Sequence, residues 1–252
     1  MIKKIVKTIP GTVGIYKTLE YVCRYIRYIM DFNNYVGLQR ASEARFDLPK
    51  WGGRYPCLND NTKTTVFDSH YTYHPAWAAR IVSQLQPSVH VDVSSTLNFC
   101  AIVSAFVPVK FYDYRPAELN LGNLECKHGD LMKLPFEDES IDSISCMHVV
   151  EHIGLGRYGD SLNPNGDLQA IAELKRVLAK GGSLLFVTPV GVPKIRYNAH
   201  RIYSYDQIVS YFQGLRVEQF ALVDDKNQFT INADPVYANE QQYGCGCWWF
   251  KK

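Results

Sequence analysis

From residue 89 onward one pattern repeats, and few folds can satisfy it. Short apolar runs of strand length occur at Val89–Val93, Val109–Asp113, Leu124–Lys127, Ile141–Met147 and Ser183–Thr188. Helical segments fall among them, at Leu97–Phe106 and Asp167–Ala179, with Tyr205–Phe212 following. In the second helix Leu168, Ile171, Leu174, Val177 and Leu178 share one side, and Lys180-Gly181-Gly182 reads as its C-cap. Strands that alternate with helices pair in parallel through right-handed crossovers. The expected class is therefore α/β, a doubly wound and mainly parallel sheet. Leu215–Val223 and Gly246–Phe250 are two further strands, expected as an antiparallel edge.

In such a sheet, ligands bind beyond the carboxyl ends of the strands. The residues that end each run are Asp92-Val93-Ser94-Ser95-Thr96, Asp113-Tyr114-Arg115, His128-Gly129-Asp130-Leu131, His148-Val149-Val150-Glu151-His152 and Thr188-Pro189-Val190-Gly191. Ionisable groups thus gather at one rim. Glu151 or His152 is placed either to orient and deprotonate a substrate hydroxyl or to hydrogen-bond within a strand-to-helix turn. The same five residues match H-x-x-E-H, a zinc pattern that needs both histidines on one helical face. Ile153-Gly154-Leu155-Gly156 interrupts any such helix, so no metal centre is expected here. Gly154–Asp160 and the Asn163-Pro164-Asn165-Gly166 that follows are long enough for a lid. In it Arg157, beside Tyr158, either clamps a carboxylate or phosphate or pairs with Asp160. His200 and Arg201, after Asn198-Ala199, form a second pair suited to an anionic or sugar substrate, or else a helix-cap network.

The first 65 residues read as a separate piece. Ile15, Leu19, Val22, Ile26 and Ile29 recur at helical spacing, with Lys3, Lys4 and Lys7 before them and Lys17, Arg24 and Arg27 off the stripe. A helix of this kind suits peripheral contact with an anionic membrane through residues 1–32, or packing on protein. Asp31–Thr65 reads as a polar linker, ordered in part and lying over the domain. His70 and His74 stand four apart before Pro75, which argues against one helix through both, so His74 is expected as a pocket wall rather than as half of a metal pair. No apolar run is long enough to span a bilayer, and no signal peptide is evident. A net charge of +2 does not suit a dedicated nucleic-acid binder. The seven cysteines, odd in number and without a CxxC pair, fit a reducing, cytoplasmic setting. Cys245 and Cys247 point to one side of a strand and read as packing.

Asp92, Asp113, Gly129-Asp130, LPFEDESID and ELKRVLAKGGSLLFVTP together resemble the class I S-adenosylmethionine-dependent methyltransferases over about residues 88–225. HYTYHPAW, HVDVSS, HVVEHIGLGRYGD and NAHRIYS resemble more closely a methyltransferase-like family of unknown function. The resemblance implies a Rossmann-like methyltransferase fold with S-adenosylmethionine as cofactor. It implies that Asp113, which lies 21 positions after Asp92, binds the ribose hydroxyls. Asp130 would accept from the adenine amino group and Leu131 would offer its backbone amide, with Asp92, Ser94, Ser95, Thr96, Tyr114 and Gly129 around them. His148, Glu151, His152 and His200 become the catalytic candidates, and His74, Arg157, Tyr158, Asp160 and Arg201 the substrate-side ones. Where the family has glycines in the first loop, this chain has Ser94, Thr96 and Asn98. Two functions stay open: methyl transfer to a small molecule or glycan, and a repurposed fold that binds a nucleotide or saccharide.

Overall fold

The computed structural model describes residues 12–42 and 45–252. The chain divides into two compact units between Val66 and Phe67. In the first, α1 (Thr12–Arg40) runs well past the end expected near Phe32. Asp31–Arg40 carries no proline, and its single Gly37 is a weak breaker inside a long helix. The segment after it is tied to this helix. The Trp51 ring meets Phe32 edge-on at 5.1 Å, and Arg24 donates to the Asn59 side chain while pairing with Glu20 at 2.6 Å. Ile15, Leu19, Val22 and Ile26 lie exposed along the helix, Ile15 to 65%. Lys3, Lys4 and Lys7 lie outside the described residues. Among the described residues, no helix is long and apolar enough to cross a membrane.

The second unit is a mixed α/β layer structure. Its elements in order are α2 (Ser69–Leu85), β1 (His90–Val93), α3 (Leu97–Val103), β2 (Val109–Asp113), β3 (Leu124–His128), β4 (Ile141–Met147), α4 (Gly166–Val177), β5 (Leu178–Val190), β6 (Lys194–Arg196), β7 (His200–Ile202), α5 (Tyr205–Tyr211), β8 (Arg216–Val223), β9 (Phe229–Ile231), α6 (Pro235–Asn239) and β10 (Gly244–Lys251). Eight strands form one sheet in the order β3-β2-β1-β4-β5-β10-β8-β9. The first five are mutually parallel, as the βαβ rhythm requires. β10 is antiparallel to both β5 and β8, so it lies inside the sheet and β9 forms the edge. The expected antiparallel edge is thus corrected. Every residue from Gly244 to Phe250 is buried, and such a strand needs partners on both sides and cover on both faces.

Period-two alternation then splits the core into two layers. Leu184, Phe186, Trp248 and Phe250 face α4 and α5, while Leu185, Val187, Cys245, Cys247 and Trp249 face α2 and α3. α4 passes directly into β5 at Leu178, so Lys180-Gly181-Gly182 lies within the strand rather than capping the helix. α2 is continuous through Pro75, against expectation. Asp68 caps it by accepting from the Tyr71 N–H at 3.0 Å. Pro75 withholds one ladder bond, and burial of Trp77, Ala78, Ile81 and Val82 against the sheet offsets that loss. His70 and His74 therefore share one helix, with His74 Nδ1–H donating to the His70 carbonyl at 2.7 Å.

A buried polar chain joins β1 to β4. His90 bonds Ser143 and Ser145 at 2.8 and 2.9 Å, and the Ser145 hydroxyl donates to Asp92. Burial pushes the Asp92 carboxyl up to about 6, against the hydrogen bonds from Ser145 and Ser95 that hold it down. Its folded pKa thus exceeds its unfolded value. The stability that protonated Asp92 confers is full below about pH 4 and is lost as pH rises through about 6. Asp92→Asn should escape that loss. Relative to the parent protein, the variant should gain on the order of 3 kcal/mol between pH 4 and pH 7.5. Thermal unfolding at the two pH values measures this, and an equal Tm difference at both would show that Asp92 does not titrate in this range.

Candidate functional site

Two clefts open at the carboxyl ends of β1, β2, β3 and β4. The first, about 330 Å³, is lined by Ser94, Asp113, Tyr114, Gly129, Asp130, Leu131 and Met132, among others. The second, about 480 Å³, is lined by Tyr71, Glu151, Arg157, His200 and Tyr243, among others. Ser94, His148, His152 and Tyr158 line both, so the two clefts meet along these four residues.

The turn after β1 keeps a glycine-like course without glycine. Ser94 adopts φ +55°, a left-handed conformation that costs a serine about 1–2 kcal/mol. Its N–H and Oγ–H both donate to the Tyr112 carbonyl, at 2.8 and 3.3 Å. Ser95 Oγ accepts from the Met147 N–H at 3.0 Å, and Thr96 Oγ1 caps α3 by accepting from the Phe99 N–H at 3.3 Å. The hydroxyls of Ser95 and Thr96 are thus used to join β1 to β4 and to start a helix. Asp92 is fully buried and lines neither cleft. Its carboxylate accepts from the Ser95 N–H and the Ser145 hydroxyl, which corrects its assignment to the cofactor site.

Asp113 and Asp130 stand at the ends of β2 and β3. Each steadies one oxygen on a backbone N–H, from Arg115 at 2.7 Å and Met132 at 2.9 Å. The other oxygen of each has no partner among the described residues. Gly129 lies so close to the Tyr112 side chain that a Cβ there would come within 2.9 Å of it. The first cleft therefore presents two carboxylates to whatever fills it, and Gly129 beside them is required by the close packing of Tyr112.

His148 follows β4 with φ +58°, a strained conformation for a histidine. Its Nδ1 bonds Glu151 Oε1 at 2.9 Å, and its Nε2 lies 3.4 Å from Cys245 Sγ. All three side chains are buried. Burial alone would push His148 down, but the hydrogen bond and charge of Glu151 act against it and hold the imidazole above its ordinary range. The Glu151 carboxyl is held below its usual range, because the bond and charge of His148 overcome its burial. Burial keeps the Cys245 thiol protonated, so Glu151 is the anion of the pair. Glu151 thus holds His148, and the same carboxylate oxygen also lies 3.8 Å from His152 Nε2. His152 is differently placed: its Nδ1–H donates to the Ala199 carbonyl at 2.6 Å, which leaves Nε2 with the lone pair. His200 Nε2 has no partner, and burial lowers the pKa of this ring, which lies 4.9 Å from Tyr243.

Four more sequence-predicted residues, Asp160, Arg201, His74 and Arg157, have defined settings. Asp160 does not pair with Arg157. Its carboxylate accepts from the N–H groups of Gly154, Gly156 and Tyr158, at 2.7, 3.3 and 3.2 Å, and closes the glycine loop on itself. Arg201 is buried, donates to the Ile153 and Pro164 carbonyls and lies 3.5 Å from Asp167. It therefore braces the turn after β4 and is not available to substrate, which corrects its assignment. His74 is also fully buried and lines neither cleft; its ring sits 5.0 Å from that of His148. Arg157 remains at the second cleft, donating to the Ala199 carbonyl at 3.0 Å with its cation 5.0 Å from the Tyr158 ring. Tyr71, Met132, Tyr243 and Cys245 were missed. Cys245 carried a signal in the C-x-C strand, but nothing in the sequence linked it to His148.

Residues 133–243 match a family described as Caenorhabditis protein of unknown function, DUF268. No curated protein matches the sequence. Among solved structures, the chain is similar to the [4+2]-cyclase SpnF, with a TM-score of 0.52 and 13% identity over 71% of this chain and 81% of that one. It is also similar to the 1,6-didemethyltoxoflavin-N1-methyltransferase of Burkholderia thailandensis, solved with 1,6-didemethyltoxoflavin and S-adenosylhomocysteine. There the TM-score is 0.49 and the identity 11%, over 71% and 79% of the two chains. A TehB-like SAM-dependent methyltransferase from Corynebacterium glutamicum gives 0.47 and 16%, over 69% and 86%. The fold is methyltransferase-like. In this methyltransferase-like domain the family-matched segment carries the β4 turn, the glycine loop and His200, whereas Asp113 and Asp130 precede it.

The glycine loop generates a prediction. Gly154 has φ +79°, and a Cβ there would lie 2.0 Å from the Asn163 carbonyl oxygen. Gly154→Ala should destabilise the protein by about 2 kcal/mol or more and open residues 154–160 to proteolysis. Urea unfolding with limited trypsin digestion at Arg157 reads both effects. An unchanged cleavage rate would show that the loop does not depend on this glycine.

Proposed function

We propose that this chain is an S-adenosylmethionine-dependent methyltransferase acting on a small molecule or glycan. The observation that carries the reading is the junction of the two clefts along Ser94, His148, His152 and Tyr158. One cleft has the carboxylates that suit a nucleoside; the other has the histidines and Arg157 that suit an acceptor. The residues fit the cofactor, because Ser94 keeps the left-handed turn usually given to glycine and Asp113 and Asp130 each bring a carboxylate to the first cleft. Asp113 and Asp130 would take the ribose hydroxyls and the adenine amino group, with Leu131 beside the ring. When bound, the cofactor supplies an electrophilic methyl group on a sulfonium. The protein's own work is placement and proton removal. His152 is the favoured base: its Nδ1–H is fixed by the Ala199 carbonyl, and its Nε2 accepts the acceptor's proton at the junction. His200 is the second such group. Arg157 and Tyr158 hold the acceptor's polar end, and the loop closed by Asp160 limits water.

Calorimetric titration with S-adenosylmethionine and S-adenosylhomocysteine tests the cofactor. Binding is expected, and Asp113→Ala should weaken it about tenfold or more, because two hydroxyls lose their acceptor. Asp92→Asn, buried behind the cleft, should leave affinity within about threefold. Absence of heat at millimolar ligand overturns the reading. Heat with a nucleotide or saccharide instead would favour the repurposed fold.

We also propose that α1 makes peripheral contact with anionic membranes, supported by its exposed apolar stripe and flanking lysines and arginines. The full chain should float with phosphatidylserine liposomes, and removal of residues 1–32 should abolish this. Equal flotation of the two forms excludes the contact.

A further inference from the structure

One cluster beside the second cleft has two members, His70 and Cys245, that the methyl-transfer reading does not use, and it shares the third, His148, with that reading. His70 on α2, His148 after β4 and Cys245 on β10 converge so that one ligand atom from each lies within 4.8 Å of the others. In the helical form of H-x-x-E-H, His148 and His152 would share a metal. Here they do not, because the residues that join His148 come from two other elements at opposite ends of the domain's sequence. We propose that His70, His148 and Cys245 form a binding site for a zinc-type divalent transition metal.

Four observations support the site. Two imidazoles and a thiolate are a borderline-soft donor set that suits zinc, and three protein ligands leave one tetrahedral position free. Zinc needs its ligand atoms about 3.4–3.6 Å apart, from metal–nitrogen distances of about 2.0–2.1 Å and a metal–sulfur distance of about 2.3 Å. His148 Nε2 and Cys245 Sγ already stand at 3.4 Å. His148 also has the outer support typical of a metal-bound histidine. Glu151 holds its Nδ1 at 2.9 Å from a buried position, which fixes the ring and directs Nε2 to the cluster. The backbone of His148 is kept left-handed at φ +58° to achieve this. Finally, His74 is completely buried with its ring 5.0 Å from that of His148 and its Nε2 unpartnered, so the wall behind the cluster also holds a polar atom without a partner.

On loading, bonds form from the metal to Cys245 Sγ, His148 Nε2 and one nitrogen of His70. The Cys245 thiol proton and the proton on His148 Nε2 pass to solvent. Glu151 keeps its bond to Nδ1–H as a positioning residue. Cys247 Sγ lies 3.9 Å from Cys245 Sγ but outside the cluster, and it is not a ligand. The free position takes water or a donor atom of a molecule in the adjoining cleft, with which the cluster shares His148.

The test uses the full chain, purified without a metal-affinity step, stripped with chelator and titrated with Co²⁺ as a spectroscopic probe. One Co²⁺ per chain is expected, with the visible bands of tetrahedral cobalt and a near-ultraviolet thiolate charge-transfer band. Zn²⁺ should displace it. Cys245→Ser should abolish the charge-transfer band while Cys247→Ser keeps it. His70 is only partly buried, so His70→Ala should fold normally by circular dichroism and bind Co²⁺ at least tenfold more weakly. Glu151→Gln should weaken binding about 10- to 100-fold while retaining the charge-transfer band. No Co²⁺ uptake by the folded parent protein overturns the proposal. So does a charge-transfer band that survives Cys245→Ser, or an affinity unaffected by His70→Ala. None of these readouts depends on S-adenosylmethionine, so the metal site and the cofactor reading stand or fall separately.

Discussion

A buried charged hydrogen bond, His148 to Glu151, is the constraint around which the site is built. Removing either partner leaves a buried charge without compensation, at a cost of about 3–5 kcal/mol. The local structure is arranged to keep both. β4 ends in a left-handed residue so that the His148 ring turns inward. The following helical turn, Val150–His152, brings Glu151 under it. Arg201 grips the carbonyl of Ile153 just beyond that turn and reaches Asp167 at the start of α4. Tyr203 donates to the same Asp167 at 2.8 Å. The clefts on either side take their common wall from a turn that cannot relax without exposing this pair.

The parallel half of the sheet was legible because its signal is local. Each strand and helix shows its own periodicity, and the crossover rule does the rest. The place of β10 was not legible. A fully apolar run says that a strand is buried, but not which neighbours bury it or in which direction it runs. α2 was misread for the opposite reason. Pro75 is a strong local signal, and it was overruled by tertiary burial of Trp77 and Ile81, which a local reading does not contain.

At the site the same division holds. The rim positions of Asp113 and Asp130 were legible because strand ends are predictable, and both line the first cleft. Asp92 and Arg201 looked equivalent on paper, but one is sealed between β1 and β4 and the other braces a turn. Polar residues near a rim divide into those that face the ligand and those that support the wall, and sequence position does not separate them. The approach of Cys245 and His70 to His148 depends on how β10 and α2 pack across the sheet.

The interior position of β10 also bears on the order in which the domain is assembled. β8 and β9 precede β10 in the chain, yet β10 is the strand that connects β8 to β5. Because β10 pairs with both, β8 and β9 have no place in the sheet until residues 244–251 lie between them and β5. The strand that completes the sheet also delivers Cys245 to His148. Nascent chains halted before that point would hold the histidines and both carboxylates of the first cleft, yet would lack the seam that makes them one domain.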